Sequence, residues 1–272
     1  MHFDYLFTAV QLLWTLTFAA LLVTLVVLMG RDRIKRFPWF TASLVLVALR
    51  LLTNRLLHDR LPQLTMASVA ITLADISVLV GLAVLVEMAR RAFRRASAAA
   101  WAGWTLGLLA LAGVVLWKWG PWPALKTITF DTPIARLQFM QLIAVKMGLL
   151  VDVLSIALGF LVVALGRRYG AGWHTHVQRI MIGLSTASIA QLGAQGTWQI
   201  IARHTTPHSQ AEYEHVMGLQ EKLLNTNSAV YLLVLIWWIV CLWIDEPDTS
   251  TAMQPVNTDD AERIAEPEVG DA

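Results

Sequence analysis

The chain has 272 residues, of which 57% are hydrophobic and only 15% charged. Soluble domains are about a quarter charged, so this composition excludes an ordinary soluble domain, a disordered chain and a collagen-like fibre. The single cysteine, Cys241, excludes an intrachain disulfide and a cysteine-based zinc site.

The net charge of +2 hides a division within the chain. Residues 245–272 hold nine carboxylates against one arginine, Arg263, a net of −8. Residues 1–244 hold 20 Lys and Arg against 10 Asp and Glu, a net of +10. A basic body therefore precedes a short acidic segment.

A membrane-crossing helix needs about 20 mostly apolar residues. Seven stretches reach that length: 5–29, 38–57, 66–88, 99–118, 138–165, 178–202 and 219–244. They predict an all-α polytopic membrane protein, with residues 1–244 forming a bundle of seven transmembrane helices. Residues 245–272 have almost no large apolar side chains and read as a disordered acidic cytoplasmic tail.

In the first stretch Asp4, Thr8, Gln11 and Thr15 recur on one helical face. No basic residue precedes it and no small-residue cleavage pattern follows, so it reads as a retained helix rather than a signal peptide. The second stretch presents Ser43, Arg50 and Asn54, and the third Ser68, Thr72 and Asp75. At about 1.5 Å per residue, Arg50 and Asp75 lie about 12 and 13 Å from one end of their helices, a depth that suits an ion pair. The fourth has no internal charge, which places it at the bundle edge. Its Gly103 and Gly107 form the GxxxG spacing of helix pairs and suit a homodimer.

The fifth stretch presents Gln141, Gly148, Asp152, Ser155 and Gly159, while Lys146 falls about 140° away from Gln141, off that stripe, and either faces a different neighbour or snorkels outward. The sixth offers Ser188, Gln191, Gln195 and Gln199, and the seventh Glu221, Asn225 and Ser228. Charges inside a span are costly and mark partners or water-filled cavities. Gln11, Arg50, Asp75, Asp152, Gln191, Gln195 and Asn225 are thus the candidate ligand-binding residues, lining a pocket in one half of the bundle. The same polar residues would equally serve as glue between helices.

Basic residues concentrate in the first, third and fifth loops, which hold 11 against 6 in the others. The positive-inside rule then puts the N-terminus outside and the acidic tail in the cytoplasm. Trp117, Trp119 and Trp122 at one end, with Trp39, Trp101, Trp104 and Trp173 at the other, read as interfacial belts.

Several chemistries find no motif. No histidine lies deep in a span, as axial haem ligation between helices requires. His204, His208, Glu212, Glu214 and His215 cluster in one loop, but Pro207 interrupts the helical spacing that zinc ligation would use. The topology resembles that of microbial rhodopsins only in helix number, because Lys222 sits near the start of the seventh stretch and not at its middle. HExxH and phosphate-loop patterns are missing, and the basic loops serve topology rather than nucleic acid. A three-plus-one-plus-three repeat would align Gln11-Leu12-Leu13 with Gln141-Leu142-Ile143, yet the spacing to the following Gly-Arg pairs differs. No catalytic, metal or cofactor site is expected. The reading is a receptor-like or sensory protein of a bacterial inner membrane that binds a small polar or ionic ligand. It has two alternatives: a small-solute transporter or channel, or a structural subunit with a membrane or cytoplasmic protein partner.

Overall fold

A computed structural model describes residues 9–57, 60–119, 132–169, 172, 175–205 and 209–246. Among these residues the chain forms seven helices and no strand: α1 (Ala9–Gly30), α2 (Pro38–Leu57), α3 (Gln63–Ala92), α4 (Ala98–Lys118), α5 (Pro133–Tyr169), α6 (His176–His204) and α7 (Gln210–Trp243). Six are long and apolar enough to cross a membrane, which marks an integral membrane protein. The exception is α6, equally long but richer in Gln, Ser and Thr.

Local chemistry sets the helix ends. Pro38 and Pro133 open α2 and α5, where a missing N–H costs nothing. Ser97, Thr175 and Ser209 accept hydrogen bonds from the amides of Ala100, Gln178 and Glu212, capping α4, α6 and α7. The end of α1 is a Schellman turn: the Arg33 amide reaches the Leu28 carbonyl and the Asp32 amide that of Met29, with Asp32 at φ 49°.

Neighbours follow the order α1–α2–α3–α5–α6–α7 and back to α1, closing a ring of six helices. Among the described helices α4 lies alongside α5 only, at the edge, as its uncharged sequence predicts. Because α4 stands outside, α3 and α5 are neighbours that run in the same direction, as are α7 and α1. Contacts at matching ends show this: Phe93 of the α3 C-cap meets Tyr169 of α5, and Arg31 after α1 meets Asp245 after α7. The order thus repeats, three helices (α1–α3) followed by three (α5–α7), with α4 as the return between them.

Packing is uneven along the bundle. The end that carries the loop between α1 and α2 has a continuous core of Leu28, Phe37, Phe40, Met88, Ala92, Ile180, Met181, Leu235, Trp238 and Leu242. Among the described residues the other half has a small cluster of Ala112, Leu149 and Val153 between α4 and α5. Trp238 is the largest fully buried side chain, edge-on to Phe40 at 5.0 Å.

Lipid tails are as apolar as leucine, so helices in a membrane associate through close packing and hydrogen bonds rather than through release of water. Two glycines allow that approach. A Cβ on Gly159 would run into the Ser185 side chain, and one on Gly183 into the Trp238 indole. Ser185 can turn, but Trp238 is held between Phe40 and α6. Gly183→Ala is therefore expected to cost about 1–3 kcal/mol through overpacking. Thermal denaturation in detergent should show a clear fall in midpoint, while Gly107→Ala, in open space on α4, leaves it unchanged.

Candidate functional site

The sequence pointed to one polar half of the bundle; the structure shows polar chemistry at two levels. The first is the basic end. The Schellman turn after α1 swings Arg33 inward, where its side chain is only 7% exposed. Arg33 donates to Asp245 Oδ1 at 2.9 Å, and Arg31 to Asp245 Oδ2 at 3.0 Å. Arg36 donates to Glu246 Oε2 at 2.5 Å, and the His176 amide to Glu246 Oε1 at 2.6 Å. Each of four carboxylate oxygens thus meets one donor, and Glu246 satisfies a free amide at the start of α6. Arg31 also lies over the Trp243 ring at 4.9 Å.

Glu87 of α3 plays the same part at α2. Its carboxylate accepts from the Phe40 amide at 3.3 Å and from Arg91 at 3.4 Å. Two helix starts at this end are therefore capped by glutamates from other elements. Neither Glu87 nor Glu246 is flagged by the sequence, because a cap borrowed from a distant element has no local pattern. Asp245 and Glu246 open the predicted disordered tail and are bound here; residues 247–272 lie outside the described residues.

Burial sets the protonation of this cluster. It lowers the Arg33 guanidinium from its ordinary value, against the opposing pull of Asp245. Burial first, and the charge of Arg33 second, push His176 down to about 4. The imidazole is then neutral at pH 7, consistent with its Nδ1 lying 3.4 Å from Arg33 Nη1. Burial alone would raise the Glu246 carboxyl, but the His176 amide and Arg36 hold it below its ordinary value.

The second level is at mid-bundle. Ser188 of α6 donates to Asp152 Oδ1 of α5 at 2.9 Å. Asn227 of α7 donates to Gln191 Oε1 of α6 at 2.6 Å. Ser185 donates to the Ser155 carbonyl at 3.0 Å. α6, the most polar helix, therefore has its polar face stitched to α5 and α7.

The seven predicted residues divide accordingly. Asp152 and Gln191 belong to this layer, with Gln195 and Asn225 half-buried on α6 and α7 about a turn or less farther from the basic end. Gln11 and Arg50 are exposed on α1 and α2, and Asp75 is half-buried on α3. Arg50 and Asp75 make no ion pair within 4 Å, so matching depth does not bring their side chains together. Asp4 and Thr8 lie outside the described residues.

Other stripe residues are satisfied locally. Thr15, Ser68, Thr72 and Ser228 each donate to the carbonyl four residues earlier in their own helix. On α7 it is Asn227, not the expected Asn225 or Ser228, that reaches α6. The sequence Asn225-Thr226-Asn227 offers two amides on different faces, and only packing decides between them.

Of the two outcomes its register allows, Lys146 takes a different neighbour rather than snorkelling outward. It is 9% exposed and donates to the Trp119 carbonyl at 2.5 Å, a cation on the free C-terminal carbonyls of α4. Trp119 itself turns inward against Gly196 of α6, while Trp117 is exposed; Trp122 lies outside the described residues. An open cleft of about 370 Å³ lies between the starts of α3 and α5, lined by Leu64, Thr65, Ser68, Val69, Arg136 and Leu137. None of the seven predicted residues lines it. Among the described residues no three His, Cys, Asp or Glu side chains converge as a metal site; His208 lies outside them.

Comparison with known protein families, curated proteins and solved structures finds no match to this chain.

Two predictions arise from these contacts. As pH falls below 6.5, unfolded chains protonate His176 while the folded one refuses the proton until about 4, so stability declines across that window. The lowered Glu246 acts in the same direction below its ordinary 4.5. Thermal midpoints measured against pH should fall with acid, and His176→Gln should flatten the upper part of that curve. Separately, a Gln191→Ala and Asn227→Ala double-mutant cycle should return a coupling of about 0.6 kcal/mol, the ordinary worth of a hydrogen bond between membrane helices.

Proposed function

We propose that this chain is a receptor-like or sensory membrane protein that binds a small polar or ionic ligand in the half of the bundle away from its basic end. In this proposal all seven helices cross the membrane, α6 shielded by α5 and α7. The N-terminus is outside, the acidic tail in the cytoplasm and the membrane a bacterial inner membrane. The excess of Lys and Arg in alternate loops supports that orientation.

One observation carries the reading: packing is sealed and apolar at the basic end but loose beyond the polar layer of Asp152, Ser188, Gln191 and Asn227. A ligand entering from outside would meet Gln195 and Asn225 first and Asp152 last. Ser188 and Asp152 would orient it by hydrogen bonding and charge. The signal would travel along α7, whose far end carries Trp238 and then Asp245 and Glu246 in the arginine cluster.

The ring order favours a second reading, a small-solute transporter. Two units of three helices running in the same direction, joined by one extra helix, match the plan of transporters built from parallel repeats. In that case the polar layer would become reachable from the cytoplasm as well.

Thiol labelling tests both. With Cys241 replaced by Ser, single cysteines at Gln195, Asn225 and Asn227 should react with a membrane-impermeant reagent from outside. Labelling from outside only supports the receptor reading, and labelling from both sides the transporter. A folded protein that resists labelling from either side would overturn both and leave the polar layer as helix glue.

A further inference from the structure

The arginine cluster at the basic end has features that joining the end of α7 to the first loop does not require. Asp245 and Glu246 are adjacent and together carry two negative charges on four terminal oxygens. Each oxygen faces its own donor: Arg33, Arg31, Arg36 and the first amide of α6. Charge-assisted bonds to planar guanidinium groups and to a helix start are the chemistry by which proteins hold phosphate.

The donors and their internal ligands differ in how firmly they are held. Arg33 is fixed, being 7% exposed and bonded also to the Ile244 carbonyl, whereas the Asp245 side chain is 70% exposed. When the carboxylates leave, Arg33 remains as a buried cation without its counter-charge, a costly state that an incoming anion relieves. Three guanidinium groups also outnumber the two carboxylates, and His176 beside them is neutral. Arg90 in the last turn of α3 and Arg94 and Arg95 just after it are exposed and add to the positive field at this end without joining the cluster.

We propose that Arg31, Arg33, Arg36 and the His176 amide form a binding site for a doubly charged phosphoryl anion, occupied in this structure by Asp245 and Glu246 as internal ligands. The anion is either a soluble phosphate or the exposed monoester of a lipid headgroup; both present the same oxygens. The site lies at the opposite end of the bundle from the ligand pocket proposed above and does not depend on it.

The full chain in phosphatidylcholine nanodiscs provides the test. Asp245→Asn with Glu246→Gln removes the internal charges, and Asp245→Asn alone leaves the cap on α6 in place should the double variant fail to fold. Binding of inorganic pyrophosphate is measured by equilibrium dialysis. Binding of phosphatidic acid is measured by native mass spectrometry of discs containing a minor fraction of that lipid. The opened chain is expected to bind one of these probes about tenfold more tightly than wild type, the scale of an ordinary coupling between competing contacts. Adding Arg33→Gln or the more exposed Arg31→Gln should remove the gain. A gain with pyrophosphate identifies a soluble phosphate as the source, and a gain with phosphatidic acid alone identifies a headgroup. Folded, opened chains that bind neither probe better than wild type would overturn the proposal. So would a gain that survives loss of Arg31 and Arg33, which would assign the anion to the exposed arginines at the end of α3.

Discussion

Arg33 is the charge around which this bundle is organised. Buried in a first loop only seven residues long, it needs an anion, and the chain supplies one just beyond the last helix. That pairing fixes α7 beside α1 and so closes the ring. It also brings Glu246 to the start of α6, which ties the helix with the weakest membrane signature to the end of α7 and to the first loop. An unpaired buried guanidinium would be expensive, so the loop, the start of α6 and the end of α7 are set together.

The uneven packing follows from the same end. Phe37 and Phe40 enter directly after the basic loop; Trp238 reaches Phe40 from α7, and Gly183 lets α6 close over the indole. Glycine serves here by omission, since any side chain would displace the ring. Toward the other end the apolar contacts among the described residues are fewer, with Trp119 against Gly196 and a small cluster of Ala112, Leu149 and Val153. The helices there are joined by single polar contacts, Asp152 with Ser188 and Gln191 with Asn227, and by the Lys146 bond that holds the end of α4. A bundle tight at one end and stitched by a few polar bonds at its middle can open at the other without losing its core.

Helix existence was legible in the sequence because apolar runs of about 20 residues have few other uses. The edge position of α4 and the separate direction of Lys146 were legible too, from the lack of charge in one and from helical register in the other. Arg50 and Asp75 show the limit of such reasoning. Depth along a helix follows from counting, but rotation about its axis depends on neighbours, and Arg50 stays exposed and apart from Asp75. The choice of Asn227 over Asn225 has the same origin. The arginine cluster was hidden for another reason: positive loops ordinarily serve topology, and an acidic segment ordinarily stays solvated, so only their contact reveals that the two belong together.

That contact joins residues 212 positions apart, and this distance has a consequence for biosynthesis. Chains are made from the N-terminus, so the loop bearing Arg33 is complete while six helices are still to be synthesised. Throughout that time its guanidinium has no Asp245 to meet. The clasp closes only when the ribosome has passed the end of α7. A chain stopped before Asp245 would keep every helix and yet hold a buried cation without its counter-charge, so the last step of bundle closure waits on two residues beyond the last helix.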